Sequence, residues 1–309
     1  MRPILKTNDA VLLSFAKDLL AQNGIESVVF DENASIMDGS LGILPRRLMV
    51  AEDEFDKAKR ALDEGMKPVA PPDITTDRFL GGKVIVRQFL GGLRSGLDAV
   101  LLAAAVPARE GESVLELGSG PGTAALCLAW RQPGVRVTGA EIHTELVTLS
   151  NHSAADNDMG DRVVFVTVDA LDLPADMKRD YDHVFCNPPF HDAAGERSPD
   201  AMRARATQDG GELAEWLEVG VRRTVSGGTF TTILRADRLG EALSALPSTG
   251  VTIYPFWPRN GEDAKRIILQ VEKGSRAPLV LLPGLVLHNP DGSYTPAADA
   301  VLRGEAGLA

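Results

Sequence analysis

The sequence predicts an α/β protein in which a small α+β domain precedes a larger domain built on a doubly wound, mostly parallel sheet. Two observations lead to this prediction. From residue 78 onward, apolar strand-like runs alternate with helix-like runs, as in parallel sheets with helices on both faces. Residues 67–77, KPVAPPDITTD, are rich in proline and polar residues, as linkers are. We therefore expect a domain at 1–66, a linker at 67–77 and a second domain at 78–309.

The bulk composition is that of a soluble globular protein. Of the 309 residues, 44% are hydrophobic and 24% are charged. No apolar run approaches the roughly 20 residues that a membrane span needs. The two cysteines, Cys127 and Cys186, lie in apolar runs and do not form a CxxC pair, so we expect reduced, packed thiols in a cytoplasmic protein without a metal. The net charge of −11 excludes indiscriminate nucleic-acid binding as the main function, although a local basic groove is compatible with it.

Residues 1–66 read as β-α-β-β-α, which is enough for one small sheet with helices on one face. Their end, ILPRRLMVAEDEFDKAKRALDE at 43–64, resembles the prokaryotic signal-transducing domain family. The resemblance implies a fold and a regulatory or docking role, and it implies no chemistry. A passive structural appendage remains the alternative.

The second domain contains eight segments in which strands and helices alternate, except that the strands VVFVTVD and DHVFCN follow one another. They are SVLELG, TAALCLAWRQ, RVTGAEI, HTELVTLSNHSAADND, VVFVTVD, DHVFCN, ELAEWLEVGVRRTV and TFTTILR. The order predicts parallel strands connected by crossover helices. In such a sheet, ligands bind at the carboxyl ends of the strands.

A glycine-rich turn follows the first of these strands, in VLELGSGPGTAAL at 114–126. Gly118, Gly120 and Gly122 can adopt conformations closed to other residues and let a ligand approach the backbone. A tight strand-to-helix turn without a ligand is the alternative. The dinucleotide fingerprint G-x-G-x-x-G requires a later third glycine, where this chain has Thr123. The spacing E-x-G-x-G-x-G from Glu116 resembles class I S-adenosylmethionine (SAM) methyltransferases, whose fold is Rossmann-like with seven strands, and it implies SAM as the cofactor.

Polar side chains at three later strand ends complete the expected cofactor site. Glu141 lies nineteen residues after Gly122, where its carboxylate can accept hydrogen bonds from ribose hydroxyls. Asp169 can accept from the adenine amine of the cofactor, and Asn187 ends the next strand. The residues that follow the two acids, Ile142 and Ala170, are included in the expected cofactor site.

The strand DHVFCN ends in Asn187-Pro188-Pro189-Phe190. Two consecutive prolines lack N–H donors and cannot continue a central strand. This stub resembles the [DNS]-P-P-[YFW] motif of methyltransferases that act on planar nitrogen. In that motif, the amide oxygen and the first proline carbonyl accept the two hydrogens of an amine. The proline rings hold the carbonyl in place before the reaction. Phe190 is expected to stack on the target base.

The segments on either side of the glycine loop and the NPPF stub narrow the resemblance to one family. Residues 79–107, the NPPF stub and the tail at 278–305 together resemble the bacterial tRNA(Val) adenine-N6 methyltransferase family, whose members modify the adenine beside the anticodon. The resemblance covers nearly all of 75–305. It implies an RNA substrate, with tRNA first, and it implies that Arg94, Gly96 and Asp98 help to close the cofactor pocket.

One departure keeps alternatives open. Many members of that family have NPPY followed by an aromatic residue, whereas this chain has Phe190-His191. NPPFH also resembles ribosomal RNA guanine-N2 methyltransferases, and an NPP stub occurs in methyltransferases of a protein glutamine amide. A nicotinamide-dependent oxidoreductase and a SAM-binding regulatory protein are the remaining rivals.

Basic residues near the expected site are candidates for phosphate contacts, although most surface arginines are merely solvated. They are Arg78, Lys83, Arg87, Arg94, Arg203, Arg205, Lys265, Arg266, Lys273 and Arg276.

Overall fold

The computed structural model describes residues 1–7, 10–30, 46–65, 73–91, 94–178, 180–189 and 213–308. The chain divides into two compact units, Met1–Pro71 and Pro72–Ala309. Within the described ranges, no helix combines the length and the apolar character that a membrane crossing requires.

The first unit is a three-stranded antiparallel sheet with two helices. Its elements are β1 (Arg2–Thr7), α1 (Ala10–Gln22), β2 (Ser27–Phe30), β3 (Arg46–Val50) and α2 (Phe55–Gly65). The strand order is β1-β3-β2, so β3 is central. Leu48 and Val50 of β3 are fully buried against Leu20 of α1 and Ala58 of α2. This packing gives the small unit a hydrophobic core of its own.

The second unit contains the remaining elements. They are β4 (Ile74–Phe79), β5 (Val84–Phe89), α3 (Leu97–Ala105), β6 (Ser113–Leu117), α4 (Thr123–Arg131), β7 (Arg136–Glu141), α5 (Thr144–Asp156), β8 (Val163–Thr167), β9 (Tyr181–Cys186), α6 (Leu213–Arg223), β10 (Thr224–Arg235), α7 (Leu239–Ala245), β11 (Val251–Trp257), β12 (Arg266–Glu272), β13 (Val280–Leu281), β14 (Leu285–Val286) and α8 (Pro296–Leu302).

Nine of these strands form one sheet in the order β13-β11-β12-β10-β9-β6-β7-β8, with β14 also paired to β11. All its pairs are parallel except those that β12 makes with β10 and β11. The chain first runs outward from β6 to β8 and then returns to β9 on the other side of β6. This reversal is the topological switch point at which open α/β sheets bind ligands. The predicted doubly wound, mostly parallel fold is confirmed.

Two hydrophobic cores cover the two faces of the sheet. One is formed with α3, α4, α5 and α8, and the other with α6 and α7. The strands at the centre are buried on both faces, as β6 illustrates with Val114, Leu115 and Leu117 at 0% exposure. Burial on both faces explains why these strands are mainly apolar in the sequence.

Two features differ from the expectation. Residues 74–77, assigned to the linker on composition, are the first part of β4, which pairs antiparallel with β5. Alternating burial along β4 accounts for the Thr-Thr-Asp run, because a strand exposed on one face tolerates polar residues at every second position. The sheet also has two strands more than the seven expected, since the tail adds the two-residue strands β13 and β14.

Candidate active site

The glycine loop lies between β6 and α4, at the switch point. Gly118, Gly120 and Gly122 have φ of +65°, +53° and +77°, in the left-handed region that favours glycine. Gly122 is the residue before the first turn of α4. The loop therefore requires glycine at all three positions on conformational grounds alone.

The surroundings of the three glycines are different. A Cβ on Gly118 would lie 2.7 Å from Cη2 of Trp216, and a Cβ on Gly122 would lie 2.5 Å from Cζ of Phe165. At Gly120, no described atom lies within 4 Å of that position. Gly118 and Gly122 thus make room for side chains of the protein itself, whereas Gly120 faces space that a ligand can enter.

Glu141, the last residue of β7, is tied to this loop. Its Oε2 accepts the backbone N–H of Gly120 at 2.8 Å, and its Oε1 accepts the N–H of His143 at 3.0 Å. The side chain is 6% exposed. Each carboxylate oxygen has a second lone pair, so the group can position the loop and still accept a hydrogen bond from a ligand.

Glu116 lies beneath the loop and is 3% exposed. Its Oε2 accepts the N–H of Ala125 in α4 at 3.2 Å. Burial raises the pKa of this carboxyl well above its usual range; the Ala125 N–H opposes the rise, and the charge of Glu141 adds to it. Through this hydrogen bond, Glu116 connects the strand to the helix below the loop.

The other residues expected around the cofactor lie at neighbouring strand ends. Ile142 follows Glu141 with 49% of its surface exposed. Asp169 comes two residues after β8 ends, is exposed, and accepts the N–H of Leu171 at 2.8 Å through Oδ1. Ala170 beside it is buried. An exposed apolar side chain and an exposed acid thus border the loop on the β7 and β8 side.

The stub after β9 lies on the other side of β6. Asn187 directly follows Cys186, the residue of β9 that pairs with Leu117 at the end of β6. Its Oδ1 is buried and receives no hydrogen bond from any residue that the structure describes. Pro188 is buried and Pro189 is half-buried. Phe190 and His191 lie outside the described residues.

Arg94, Gly96 and Asp98 precede or begin α3. Arg94 contacts Asp77 at 2.5 Å, and Asp98 contacts Arg266 at the start of β12 at 2.8 Å. Gly96 has no described atom within 4 Å of its Cβ position. The two ion pairs fix the chain around this segment, and its role in closing the cofactor pocket stays a prediction.

Five of the eight described basic residues considered for phosphate contacts make contacts within the protein. Arg87 pairs with Asp156 at 2.6 Å, Lys83 donates to the Arg303 carbonyl at 2.9 Å, and Lys273 donates to two carbonyls. Arg78, Lys265 and Arg276 are exposed, whereas Arg203 and Arg205 lie outside the described residues. The segment 78–97 is therefore less of a basic surface than its sequence indicates.

Two residues that pack against the loop were not predicted from the sequence. Trp216, 7% exposed, packs on Gly118 from α6, and Phe165, 2% exposed, packs on Gly122 from β8. A signal for Trp216 is present, because Leu213, Trp216, Leu217 and Gly220 recur with the spacing of one helix face. Nothing in the local sequence of Phe165 points to the loop.

These features fit SAM in three respects. The loop offers open space at Gly120, the strand next to it ends in a buried carboxylate, and an amide oxygen at the facing strand end lacks a partner among the described residues. A metal site has no comparable support there, because the described residues contain no cluster of three or more metal-ligating side chains.

Comparison with known proteins finds one family match in each part of the chain. Residues 1–65 match the family described as "Putative prokaryotic signal transducing protein". Residues 95–213 match the family described as "Methyltransferase small domain". The second match includes the glycine loop, Glu141, Asp169 and the Asn187 stub. The first match confirms the resemblance of the N-terminal segment to the signal-transducing family, and the second confirms a methyltransferase domain.

Relatives that match about two thirds or more of this chain are found among curated proteins and solved structures. The chain is 27% identical to the tRNA1(Val) (adenine(37)-N6)-methyltransferase of Yersinia enterocolitica, and 28% identical to the protein of the same name from Porphyromonas gingivalis. Each alignment covers 72% of this chain and 91% of the relative. A crystal structure of a predicted O-methyltransferase from Agrobacterium tumefaciens is 27% identical with a TM-score of 0.58, covering 68% of this chain and 98% of that one.

Proposed function

We propose that this SAM-dependent methyltransferase, of the class I fold, transfers a methyl group to N6 of an adenine in RNA. The substrate is a tRNA, and the target lies near its anticodon. The enzyme works in the cytoplasm. The alternatives are the exocyclic amine of a guanine in ribosomal RNA and the side-chain amide of a protein glutamine.

The observation that carries the proposal is the unpartnered oxygen of Asn187. A buried polar atom without a partner costs roughly 1–3 kcal/mol, so a native protein keeps one where a ligand or a reaction uses it. Asn187 Oδ1 is such an atom among the described residues, and it lies at the carboxyl end of β9, beside the glycine loop. An acceptor in this position suits a substrate that brings N–H groups.

The chemistry of an aryl amine explains why acceptors are needed. Its nitrogen lone pair is delocalised into the ring, which makes the amine a poor nucleophile. The Asn187 side-chain oxygen and the Pro188 carbonyl accept the two amine hydrogens, which favours the pyramidal nitrogen that can attack in line. Because Pro188 and Pro189 have no N–H, they do not compete for these acceptors, and their rings hold the carbonyl in place.

Bound SAM supplies an electrophilic methyl group on its sulfonium. The protein binds it with the backbone at Gly120, the carboxylates of Glu141 and Asp169, and the apolar side chain of Ile142. The amine nitrogen would accept this methyl group, with the sulfur of SAM as the leaving group. The amine becomes acidic once methylated, so its proton can pass to water without a strong base.

The names of the relatives support the adenine and the tRNA. Both curated relatives are named as methyltransferases of adenine 37, at N6, in tRNA1(Val). The chain covers 91% of each of them, which includes the region of the Asn187 stub. The proposal carries their substrate class to this chain.

The experiment is the labelling of total RNA from a strain that lacks this protein. The purified enzyme and tritiated SAM are added, and the labelled nucleosides are identified after digestion. We expect label in the tRNA fraction as N6-methyladenosine. A parallel reaction in whole lysate is treated with RNase before the enzyme is added.

Each alternative gives a different result. Label as N2-methylguanosine in ribosomal RNA would replace the adenine by the guanine target. Label that survives RNase and stays with protein would identify a glutamine methyltransferase. SAM binding with no transfer to any of these fractions would contradict an enzymatic role and favour a regulatory one.

A further inference from the structure

The tail of the chain forms a short hairpin that presents a stacked aromatic pair. His288 and Tyr294 pair as an isolated antiparallel bridge, and their rings stack with centroids 4.8 Å apart at 25°. The turn between them is held from within, because Asn289 donates to the Ser293 hydroxyl and to the Tyr294 carbonyl. Tyr294 is 42% exposed although one face of its ring is covered by His288. The exposed part of its ring is therefore available to a flat ligand.

The sheet register carries this hairpin to the edge that holds the catalytic stub. β11 and β14 run in the same direction as β9 and β10, so their carboxyl ends meet at one edge. His288 comes two residues after β14 and donates its N–H to the Pro258 carbonyl, just beyond the end of β11. Four strand spacings of about 4.8 Å separate β14 from β9, so Tyr294 is on the order of 20 Å from Asn187.

Cations lie between the hairpin and the stub at the same edge. Arg266 of β12, whose guanidinium pairs with Asp98 at 2.8 Å, lies in the sheet between Arg235 of β10 and Phe256 of β11. Lys265 is exposed, and its ammonium has no hydrogen bond or ion pair with the residues that the structure describes. Arg259 follows Pro258 and pairs with Glu262 at 3.3 Å, where both side chains are nearly half exposed. Such pairs are weak and can exchange a carboxylate for a phosphate.

The acid in the hairpin points into the turn. Asp291 Oδ1 accepts both the N–H and the hydroxyl of Ser293, at 2.9 Å and 2.6 Å. These bonds satisfy that oxygen inside the turn and stiffen it. The exposed part of the Tyr294 ring remains the feature that a ligand can use.

We propose that Tyr294 is a stacking platform for an unpaired base of the RNA substrate, outside the site of methyl transfer. The inference rests on the proposed function. Aromatic rings that stack bases beside cations that contact phosphates are the usual means of binding single-stranded nucleic acid. The distance of about 20 Å from Asn187 makes this base a different one from the methylated base. By binding that second base, the tail fixes where the RNA lies relative to the stub.

The test measures binding of total tRNA from a strain that lacks the protein, by filter binding, together with KM and kcat for methyl transfer. Tyr294→Ala is expected to raise the Kd and KM for tRNA about 5- to 150-fold, which corresponds to the loss of one base–aromatic stack. The SAM affinity and kcat at saturating tRNA should stay within about threefold of wild type. Tyr294→Phe keeps the ring and should bind tRNA nearly as wild type does.

The control is Leu281→Ala, which removes a 66% exposed side chain from β13, a strand that also pairs with β11. It should leave tRNA binding unchanged. If wild type methylates tRNA and Tyr294→Ala binds tRNA with the wild-type Kd, this inference is wrong while the proposed function stands. A wild-type enzyme that neither binds nor methylates RNA would overturn the proposed function and this inference with it. If Tyr294→Ala and Leu281→Ala weaken tRNA binding equally, the effect is a general disturbance of the fold, and the stacking platform is rejected.

Discussion

The carboxylate of Glu141 accepts the backbone N–H of Gly120 at 2.8 Å, and this bond joins the end of β7 to the one loop glycine that faces open space. The same carboxylate was predicted from sequence to accept the ribose hydroxyls of SAM. The structure thus gives Glu141 a second role, because it holds the loop in the left-handed conformation that Gly120 adopts. The two roles can be separated by substitution.

Glu141→Gln keeps one acceptor oxygen and loses the negative charge, whereas Glu141→Ala loses both. A hydrogen bond to a charged group contributes about 1.5–3 kcal/mol, so we expect Glu141→Ala to weaken SAM binding at least tenfold and to lower the melting temperature. Glu141→Gln should lie between Ala and wild type. Calorimetry with SAM measures the affinity, and Asp161→Asn, an exposed acid before β8, is the control. Unchanged SAM affinity in Glu141→Ala would remove this residue from the cofactor site.

The three loop glycines should respond differently to a methyl group. Gly118→Ala places Cβ 2.7 Å from Trp216, so crowding of about 1–3 kcal/mol adds to the left-handed strain of about 1–2 kcal/mol. Gly120→Ala carries the strain alone, because no described atom lies near its Cβ position. We expect Gly118→Ala to lose more stability than Gly120→Ala in urea unfolding.

For SAM affinity, the order of the two variants should be reversed, with the larger loss in Gly120→Ala. In Gly120→Ala, the new methyl group occupies the space that SAM is proposed to use, so SAM affinity should fall at least tenfold although the protein remains folded. Equal loss of stability in both variants would contradict the packing described for Trp216. Normal SAM binding by folded Gly120→Ala would contradict the open approach at this glycine.

Glu116 should make the protein less stable as the pH rises. Its folded-state pKa is raised by burial, while in the unfolded chain the carboxyl ionises near its ordinary value of about 4.3. Between those two values the unfolded state binds fewer protons, so the free energy of unfolding falls by at most about 1.4 kcal/mol per pH unit. The stabilisation is complete below pH about 4.3 and is lost as pH rises through the folded pKa.

Glu116→Gln removes this titration while keeping the shape and an acceptor for the Ala125 N–H. Its melting temperature relative to wild type should therefore increase between about pH 5 and the folded pKa. The exposed Glu145→Gln serves as the control and should follow the wild-type curve. Parallel curves for Glu116→Gln and wild type would mean that the buried carboxyl is already ionised.

The two thiols should be unreactive in the folded protein. Cys127 and Cys186 are fully buried, and burial raises the pKa of each to about 12. Because the thiolate is the reactive species, a disulfide reagent at about pH 8 should label neither cysteine in the native state and both in denaturant. Rapid labelling of one thiol without denaturant would show that its part of the core opens.

The sequence was sufficient for the fold because the relevant patterns are local. The doubly buried strand SVLEL is mainly apolar, and it is followed by a turn and a helix of sufficient length. Glu141 and Asn187 could be proposed from the sequence because Glu141 ends a buried strand and Asn187 directly follows one. The strands β13 and β14 could not be found, since two residues do not establish a period.

The packing roles and ion-pair partners of individual side chains depend on long-range contacts, so they could not be predicted from the sequence. Gly118 contacts Trp216, which is ninety-eight residues away in the chain, so its packing role has no local signal. Asp77 and Asp156, the carboxylate partners of Arg94 and Arg87, lie in other elements, and they change residues that looked like a basic surface into internal ion pairs.

The most direct test of the account is the single-turnover rate of methyl transfer to tRNA by Asn187→Ala, measured at saturating SAM. Loss of one preorganised hydrogen-bond partner costs about 2.7–4 kcal/mol, so we expect the rate to fall roughly 10²- to 10³-fold. Asn187→Asp keeps an acceptor oxygen and should lose less. A wild-type rate in Asn187→Ala, with SAM bound and the fold intact, would contradict the role assigned to this amide.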